Sequence, residues 1–242
     1  MNSFNCTFSK DQWLTQKLNR NVFSLTIRHR GKNDIRQRQF RAVLNQSPVL
    51  VYAKIPVSDT KAVAELEKFG FSLIDTNIIM QKDIEHPRES SLEIVCRPSL
   101  NTDEKKVVAI ARHNFTFSRF HLDCAINNNT ANSIKAAWAK SYFTGNRGDA
   151  MIVAEYKNRL AGFLLLIINQ PEATLIIDLI AVDRKFQGKG IARAMIAFAQ
   201  NYFTDLKIIK TGTQIANMPS LKFYDSLGFA LYSASYVLHY HN

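Results

Sequence analysis

The segment from Leu175 to Ala192 constrains the fold more than any other part of the chain. It reads LIIDLIAVDRKFQGKGIA, an apolar run that ends at Val182, a short loop with Gly188 and Gly190, and the start of a helical apolar pattern. Glycines let such a loop curl until backbone N–H groups converge, and the first helical turn adds unpaired N–H groups and the positive end of its dipole. The segment therefore predicts a strand, a loop and a helix that form a site for an anion such as pyrophosphate.

The loop also has a simpler interpretation, since two glycines at a strand-to-helix turn can serve only to make a tight connection. Neither standard nucleotide fingerprint applies, because the chain lacks the full GxGxxG of a Rossmann turn and the GxxxxGK[ST] of a P-loop. The charge of Lys189 favours the anion site.

Two motifs, in order along the chain, resemble those of the GNAT acetyltransferases. Gln187–Ala192 matches the family's acetyl-CoA signature Q/R-x-x-G-x-G/A, and Asn217 with Phe223–Phe229 (FYDSLGF) matches its Asn-x(6)-Tyr followed by Gly-Phe. The resemblance covers residues 92–242. It implies the GNAT fold, an α/β (α+β) architecture with a mixed central sheet flanked by helices, and acetyl-CoA as co-substrate without a metal.

The resemblance also implies roles for individual residues. The signature strand of the family splays from its neighbour, and its backbone holds the pantetheine arm. The cofactor-binding residues implied in this way are Ile180, Val182, Gln187, Gly188, Lys189, Gly190, Ile191, Ala192, Asn217 and Tyr224. Tyr224 is the expected general acid that protonates the leaving thiolate. The alternatives are a helix-entry role for Asn217 and a core aromatic role for Tyr224.

The general base is less well defined. Asp178 lies two residues before Ile180, so strand alternation places both side chains on one face. A partly desolvated carboxylate there could accept the ammonium proton. Glu155 and His121 are alternative bases, and a structural hydrogen-bond acceptor is the other interpretation of Asp178.

Shorter motifs suggest the acceptor. Ser118–His121, Trp138 and Gly212–Asn217 resemble segments of dTDP-fucosamine and similar dTDP-4-amino-sugar N-acetyltransferases. This resemblance implies a nucleotide-linked amino sugar from polysaccharide precursor synthesis. Arg119 and His121 are the candidate residues for its phosphates or sugar hydroxyls, since arginine suits phosphate through its bidentate fork. A structural hydrogen-bonding role is the alternative for His121.

The segment 123–132 and the tail His239–His241 depart from that pattern and leave the sugar open. A protein amine or a polyamine as acceptor, and a non-catalytic GNAT-like binding module, remain alternatives. The net charge of +11 does not favour a polyamine.

A faint internal repeat suggests the domain organisation. Glu67–Leu73 (EKFGFSL) parallels Asp225–Leu231 (DSLGFAL), and both continue into β-rich segments. We therefore predict a truncated GNAT-like N-terminal domain at 1–85 and a catalytic domain at 92–242, joined by the polar linker Asp83–Ser91. The alternative is chance similarity.

The same alignment places Asp59 at the position of Asn217, and Leu66 at that of Tyr224. The first copy therefore lacks the residues of the cofactor chemistry, and we expect it to shape the substrate cleft or to stabilise the fold.

Composition adds limits on the protein's location and partners. The N-terminus has no apolar signal-peptide region and the longest apolar run, Ala161–Ile168, is too short to cross a bilayer, so we expect a cytoplasmic protein without membrane contact. Three cysteines without CxxC spacing indicate neither a disulfide framework nor a zinc site. The basic stretches Arg28–Lys32 and Arg36–Arg41 suit steering of an anionic substrate better than nucleic-acid binding, and a homodimer is compatible with this interpretation.

Overall fold

The structure is a computed structural model that describes residues 6–27, 37–85 and 93–242. Its strands are β1 (Cys6–Lys10), β2 (Asn21–Ile27), β3 (Val49–Pro56), β4 (Ser72–Asp83), β5 (Ile94–Pro98), β6 (Ala150–Tyr156), β7 (Arg159–Asn169), β8 (Thr174–Val182), β9 (Ile208–Gln214) and β10 (Ala230–His241). Across the described residues they form one sheet in the order β1-β2-β3-β10-β4-β9-β8-β7-β6-β5. The pairs β2–β3 and β8–β9 are parallel and the other neighbours are antiparallel.

Helices cover both faces of this sheet. They are α1 (Gln12–Leu18), α2 (Gln37–Leu44), α3 (Thr60–Lys68), α4 (Glu104–His113), α5 (Asn128–Phe143), α6 (Ile191–Tyr202) and α7 (Met218–Asp225). Met195 of α6 and Tyr224 of α7 belong to one buried cluster, and Val107 of α4 and Ala139 of α5 belong to another. The predicted mixed central sheet flanked by helices is thereby confirmed.

The segment Leu175–Ala192 folds as the sequence predicts. Its apolar run forms β8, which ends at Val182, and α6 begins at Ile191 directly after the glycine loop. Most of the predicted linker, from residue 86 on, and most of the basic stretches lie outside the described residues. None of the helices in the described part of the chain is long and apolar enough to span a bilayer.

The two halves of the chain exchange their last strands. β4, the last strand of the N-terminal half, pairs with β9 of the C-terminal half. β10, the last strand of the C-terminal half, lies between β3 and β4. The N-terminal strands therefore complete the sheet of the C-terminal half, although the division into two domains stays a prediction.

The segments that repeat in sequence also share their local structure. Asp59 caps the start of α3 by accepting a hydrogen bond from the Ala62 N–H, and Asn217 caps α7 through the N–H of Ser220. The turn after each helix contains a glycine with a left-handed backbone, Gly70 at φ +89° and Gly228 at φ +81°. In both turns the N–H of the following phenylalanine bonds to the carbonyl five residues earlier, at 3.1 Å.

A gap between β8 and β9 positions the functional site. Their parallel pairing stops at Ile177 and Thr211. Beyond this point β8 continues only along β7 as far as Val182, and β9 continues along β4 as far as Gln214. A β-bulge at Asp178, between Ile177 and Leu179, bends β8 where the two strands separate. The splayed signature strand expected from the resemblance is therefore present.

Candidate active site

The opening between β8 and β9 leads into a cleft with a volume of about 1050 Å³. The glycine loop and the start of α6 lie at one end, and α7 supplies Asn217 and Tyr224. The other end is lined by Tyr52 and Lys54 of β3 and by side chains from the loops around α5. The cleft thus joins the predicted cofactor residues to a second group of residues that includes part of the N-terminal half.

The glycine loop lines this cleft with Gly188 and Gly190. Gly188 and Gly190 have φ values of +76° and +80°, and a Cβ on either would meet no atom within 4 Å. The backbone conformation, rather than lack of space, therefore requires glycine here. No described residue accepts a hydrogen bond from the N–H groups of Gly188, Lys189 or Gly190. Together with the first turn of α6, the loop fits the pyrophosphate of coenzyme A.

Two of the predicted loop residues, Gln187 and Lys189, do not contribute to the cleft in the same way. The Gln187 side chain donates to the Val182 carbonyl at 3.1 Å and so ties the loop to the end of β8. The Lys189 ammonium lies 5.5 Å from the ring centre of Tyr156 and does not line the cleft. Arg184 and Arg193, which the motif does not mark, line the cleft beside the loop.

Tyr224 is buried, with 4% of its surface exposed, and lines the cleft at α7. Burial raises the pKa of this phenol to about 12, and a hydrogen bond with Thr211 partly opposes the increase. The hydroxyl is therefore protonated throughout the neutral range. Asn217 lines the cleft as well, while its side chain caps α7 and donates to the Thr213 hydroxyl at 3.2 Å.

Asp178 is held by two neighbours. Arg147 donates from Nε to Oδ2 and from Nη2 to Oδ1, both at 2.6 Å, and the Trp138 indole donates to Oδ2 at 2.8 Å. The carboxylate lines the cleft together with Ile180 and Val182. Ile177 and Leu179 line it as well, and the bulge at Asp178 interrupts the strand alternation, so a common face for Asp178, Ile180 and Val182 stays a prediction. Because both oxygens already accept hydrogen bonds, the arrangement favours a positioning role for Asp178 over that of a base.

The two alternative bases lie elsewhere. Glu155 on β6 accepts two hydrogen bonds from Arg97 and does not line the cleft. His121 lines a neighbouring pocket beside α4. Both of its ring nitrogens have partners, with Nδ1 2.6 Å from the Ser118 hydroxyl and Nε2 3.0 Å from the Asn132 Oδ1. The structure therefore does not bring His121 together with Arg119 in the cleft, and we assign it no contact with the substrate.

Arg119 lines the cleft as predicted. Its guanidinium carbon lies 3.8 Å from the ring centre of Tyr52 and 4.6 Å from that of Phe120. These cation–π contacts hold the guanidinium in the wall of the cleft, near Tyr52 and Phe120.

Lys135 on α5 is a cleft residue that the sequence interpretation missed. Only 8% of its surface is exposed, and its ammonium lies 4.5 Å from the ring centre of Trp138 and 4.9 Å from that of Phe115. The sequence signal that could have found it is helical spacing: Lys135 lies four residues from both Ala131 and Ala139, so it shares a helix face with two apolar residues. Both alanines are fully buried in the structure.

The segment 123–132 and the tail His239–His241, which depart from the nucleotide-sugar pattern, contact each other next to Arg119. Asp123 Oδ2 accepts hydrogen bonds from His239 Nδ1 at 2.6 Å and from His241 Nε2 at 2.8 Å. Burial opposes ionisation of Asp123, but the two histidine hydrogen bonds outweigh it and hold the pKa of this carboxyl well below its usual range. Burial lowers the pKa of His239 to about 4, so this ring is neutral at pH 7.

This group of one aspartate and two histidines has the ligand spacing of a metal site. Arginines face the outer ring nitrogens, however: Arg119 lies 3.4 Å from His239 Nε2 and Arg20 lies 3.3 Å from His241 Nδ1. Arginine can only donate, so the outer nitrogens accept and the inner N–H groups point at Asp123. A metal would need the opposite tautomers. The donors therefore fit a hydrogen-bonded network that supports Arg119.

Comparison with known families and proteins agrees with this geometry. Residues 127–229 match the acetyltransferase (GNAT) family. The spore coat polysaccharide biosynthesis protein SpsD of Bacillus subtilis is 30% identical over 139 residues, which cover 57% of this chain and 47% of SpsD. Human N-acetylaspartate synthetase is 28% identical over 128 residues, covering 50% of this chain and 39% of that protein. The matched region thus spans about half the length of these curated relatives or less.

Among solved structures, a GCN5-related N-acetyltransferase from Sphaerobacter thermophilus superposes with a TM-score of 0.63 at 14% identity. The superposition covers 99% of this chain and 76% of that one, so the similarity in fold extends over both halves.

Proposed function

Because the C-terminal part of this chain is a GNAT acetyltransferase domain, we propose that the protein transfers acetyl from acetyl-CoA to the amine of a nucleotide-linked amino sugar. The observation that carries the proposal is the cleft itself. A pyrophosphate-binding loop and a buried tyrosine lie in it together with the guanidinium of Arg119 and the ammonium of Lys135. The first group suits coenzyme A, and the second suits an anionic acceptor.

Acetyl-CoA supplies a thioester that the acceptor amine attacks at the carbonyl carbon, and coenzyme A leaves as the sulfur–carbon bond breaks. The loop of Gly188 and Gly190 holds the pyrophosphate, and the unpaired edge of β8 at Ile180 and Val182 holds the pantetheine arm. Tyr224 donates a hydrogen bond to the leaving sulfur. Proximity of amine and thioester in one cleft contributes to the rate.

On the acceptor side, Asp178 fixes Arg147 and Trp138 in the wall of the cleft. It is the one carboxylate that lines the cleft in the described ranges. The ammonium proton first passes to water in the open cleft, so that the amine attacks as its free base. After the attack the nitrogen loses a second proton, which water carries to the departing thiolate.

A second acceptor class has specific support. Arg119, Lys135 and Arg147 would also suit the carboxylates of an amino acid, and one relative is named for N-acetylaspartate. The name of SpsD, a polysaccharide biosynthesis protein, favours the amino sugar. A polyamine is disfavoured, because these cations would repel it.

The test is a free-thiol release assay with acetyl-CoA. Its acceptors are dTDP- and UDP-amino sugars, L-aspartate, a lysine peptide and spermidine, with a no-acceptor control. Release only with an amino sugar supports the proposal. Release only with aspartate moves the acceptor to the second class. Release only with the peptide or only with spermidine overturns the proposal. Absence of acceptor-dependent release across the whole panel overturns it as well.

A further inference from the structure

Lys135 has a buried positive charge that no carboxylate in the described part of the chain pairs with directly. The part of the chain that the structure describes places no carboxylate within 4.0 Å of its ammonium. Asp178 is the carboxylate whose charge acts on it, and Arg147 already occupies both oxygens of that group. The rings of Trp138 and Phe115 compensate part of the cost of burial.

Burying a charge without a partner costs free energy, and a bound anion would recover part of that cost. Lys135 lines the cleft, and so do Arg119 and the two rings, of Trp138 and Phe115, that its ammonium contacts. The charges of Arg119 and Arg147 act on Lys135 across this space. An anion bound here would relieve the repulsion among the three cations.

We propose that Lys135 and Arg119 form a binding subsite for an anionic oxygen group of the acceptor, a phosphate or a carboxylate. The subsite is separate from the glycine loop that holds the pyrophosphate of coenzyme A. That its ligand is the acceptor rests on the proposed function. Within that function, the subsite makes Lys135 a specificity-determining residue that excludes uncharged and cationic amines.

The protonation equilibrium of Lys135 gives this subsite a testable pH dependence. Burial, with added repulsion from Arg119 and Arg147 and opposed by Asp178, lowers the pKa of Lys135 to about 8. A bound anion favours the ammonium, so binding should weaken as the pH rises above about 8 and the free lysine loses its proton. A subsite formed by arginines alone would show no such change, because guanidinium stays charged.

The test is calorimetric titration of dTDP into the full chain with coenzyme A at saturation, so that the cofactor's own phosphate site is filled. Lys135→Met keeps the length of the side chain and removes its charge. Lys140→Met is the matched control, because Lys140 lies on the same helix but is exposed and paired with Glu104. Succinate in place of dTDP distinguishes a carboxylate ligand from a phosphate.

We expect Lys135→Met to weaken dTDP about tenfold or more, since a hydrogen bond to a charged group is lost. It should also abolish the loss of affinity between pH 7.5 and 9.5, while Lys140→Met changes neither. The melting temperature of Lys135→Met should stay the same or rise, because a buried charge is removed; a lysine with a structural role would lower it. A loss confined to succinate keeps the subsite and assigns it to carboxylate.

Equal affinity of wild type and Lys135→Met for both probes would overturn the subsite, and so would an equal loss in Lys140→Met. These results are independent of the thiol-release assay. Acetylation of an amino sugar combined with Lys135-independent binding would reject the subsite alone. Lys135-dependent binding without acetylation would reject the proposed function alone.

Discussion

Replacing Tyr224 by phenylalanine tests the chemistry directly. The pKa of this phenol is about 12, whereas an unperturbed thiol has a pKa of about 8.5. The gap corresponds to about 5 kcal/mol in proton affinity, so complete proton transfer from Tyr224 to the thiolate is unfavourable at equilibrium. Tyr224 should act mainly by donating a hydrogen bond to the sulfur as its charge develops.

A hydrogen bond to a charged group contributes about 1.5–3 kcal/mol, so Tyr224→Phe should lower kcat about 10- to 150-fold. The KM for acetyl-CoA should change less than about threefold, because the bond forms only as the thiolate leaves. The thiol-release assay, run with the acceptor that the panel identifies, measures both quantities. Tyr202→Phe is the control, since Tyr202 is 56% exposed on α6.

Two results would refute this reasoning. A kcat within about threefold of wild type would remove Tyr224 from the chemistry. A wild-type kcat that falls with an apparent pKa below about 10, and no longer does so in Tyr224→Phe, would show that the phenol is more acidic than its burial implies.

Three further predictions concern the site and its support. Asp178→Asn should raise the KM of the acceptor about tenfold by releasing Arg147, with kcat within about threefold, whereas loss of a true base would lower kcat about 10²- to 10⁴-fold in the same assay. Gly190→Ala should lower the free energy of unfolding by about 1–2 kcal/mol, because Gly190 has a φ of +80°, and it should weaken acetyl-CoA binding. Gly145→Ala is the control, since Gly145 has a φ of +68° and equal space around it. Urea denaturation should show the same loss of stability in both variants, and calorimetry should show weaker acetyl-CoA binding in Gly190→Ala alone. Because the pKa of His239 is lower in the folded protein than in the unfolded chain, the unfolded chain binds a proton on this ring at higher pH than the folded protein does. The free energy of unfolding of the wild type should therefore fall by about 3 kcal/mol between about pH 6.5 and pH 4. His239→Asn should lack this contribution in urea midpoints measured across that range, and the same pH dependence in both proteins would contradict the prediction.

The parts of the site that could be predicted are those encoded locally. The strand, the glycine loop and the first turn of α6 are contiguous, so their geometry follows from residue types within about twenty positions. Asn217 and Tyr224 follow from spacing on one short helix. For the same reason the turn after α7 resembles the turn after α3.

The parts that could not be predicted depend on pairing between distant segments. Asp178 meets Arg147 and Trp138 only after β8 packs against the loops around α5, and an ion pair leaves no pattern at that separation. The resemblance of the Ser118–His121 segment assigned both Arg119 and His121 to the substrate, but in the structure the two side chains line different pockets.

The network of Asp123 with His239 and His241 also depends on contacts between segments that are distant in the sequence. Each segment stood out separately as a departure from the nucleotide-sugar pattern. In the structure the two segments contact each other, and the position of β10 in the sheet brings them together.

The central place of β10 also affects how the protein is made. A ribosome completes β3 and β4 long before it reaches β10, so both strands must wait with an unpaired edge while the C-terminal half emerges. Exposed edges of this kind promote association between nascent chains. Substitutions that slow the insertion of β10 should therefore reduce the yield of soluble protein in cells, even where the purified protein melts at its usual temperature.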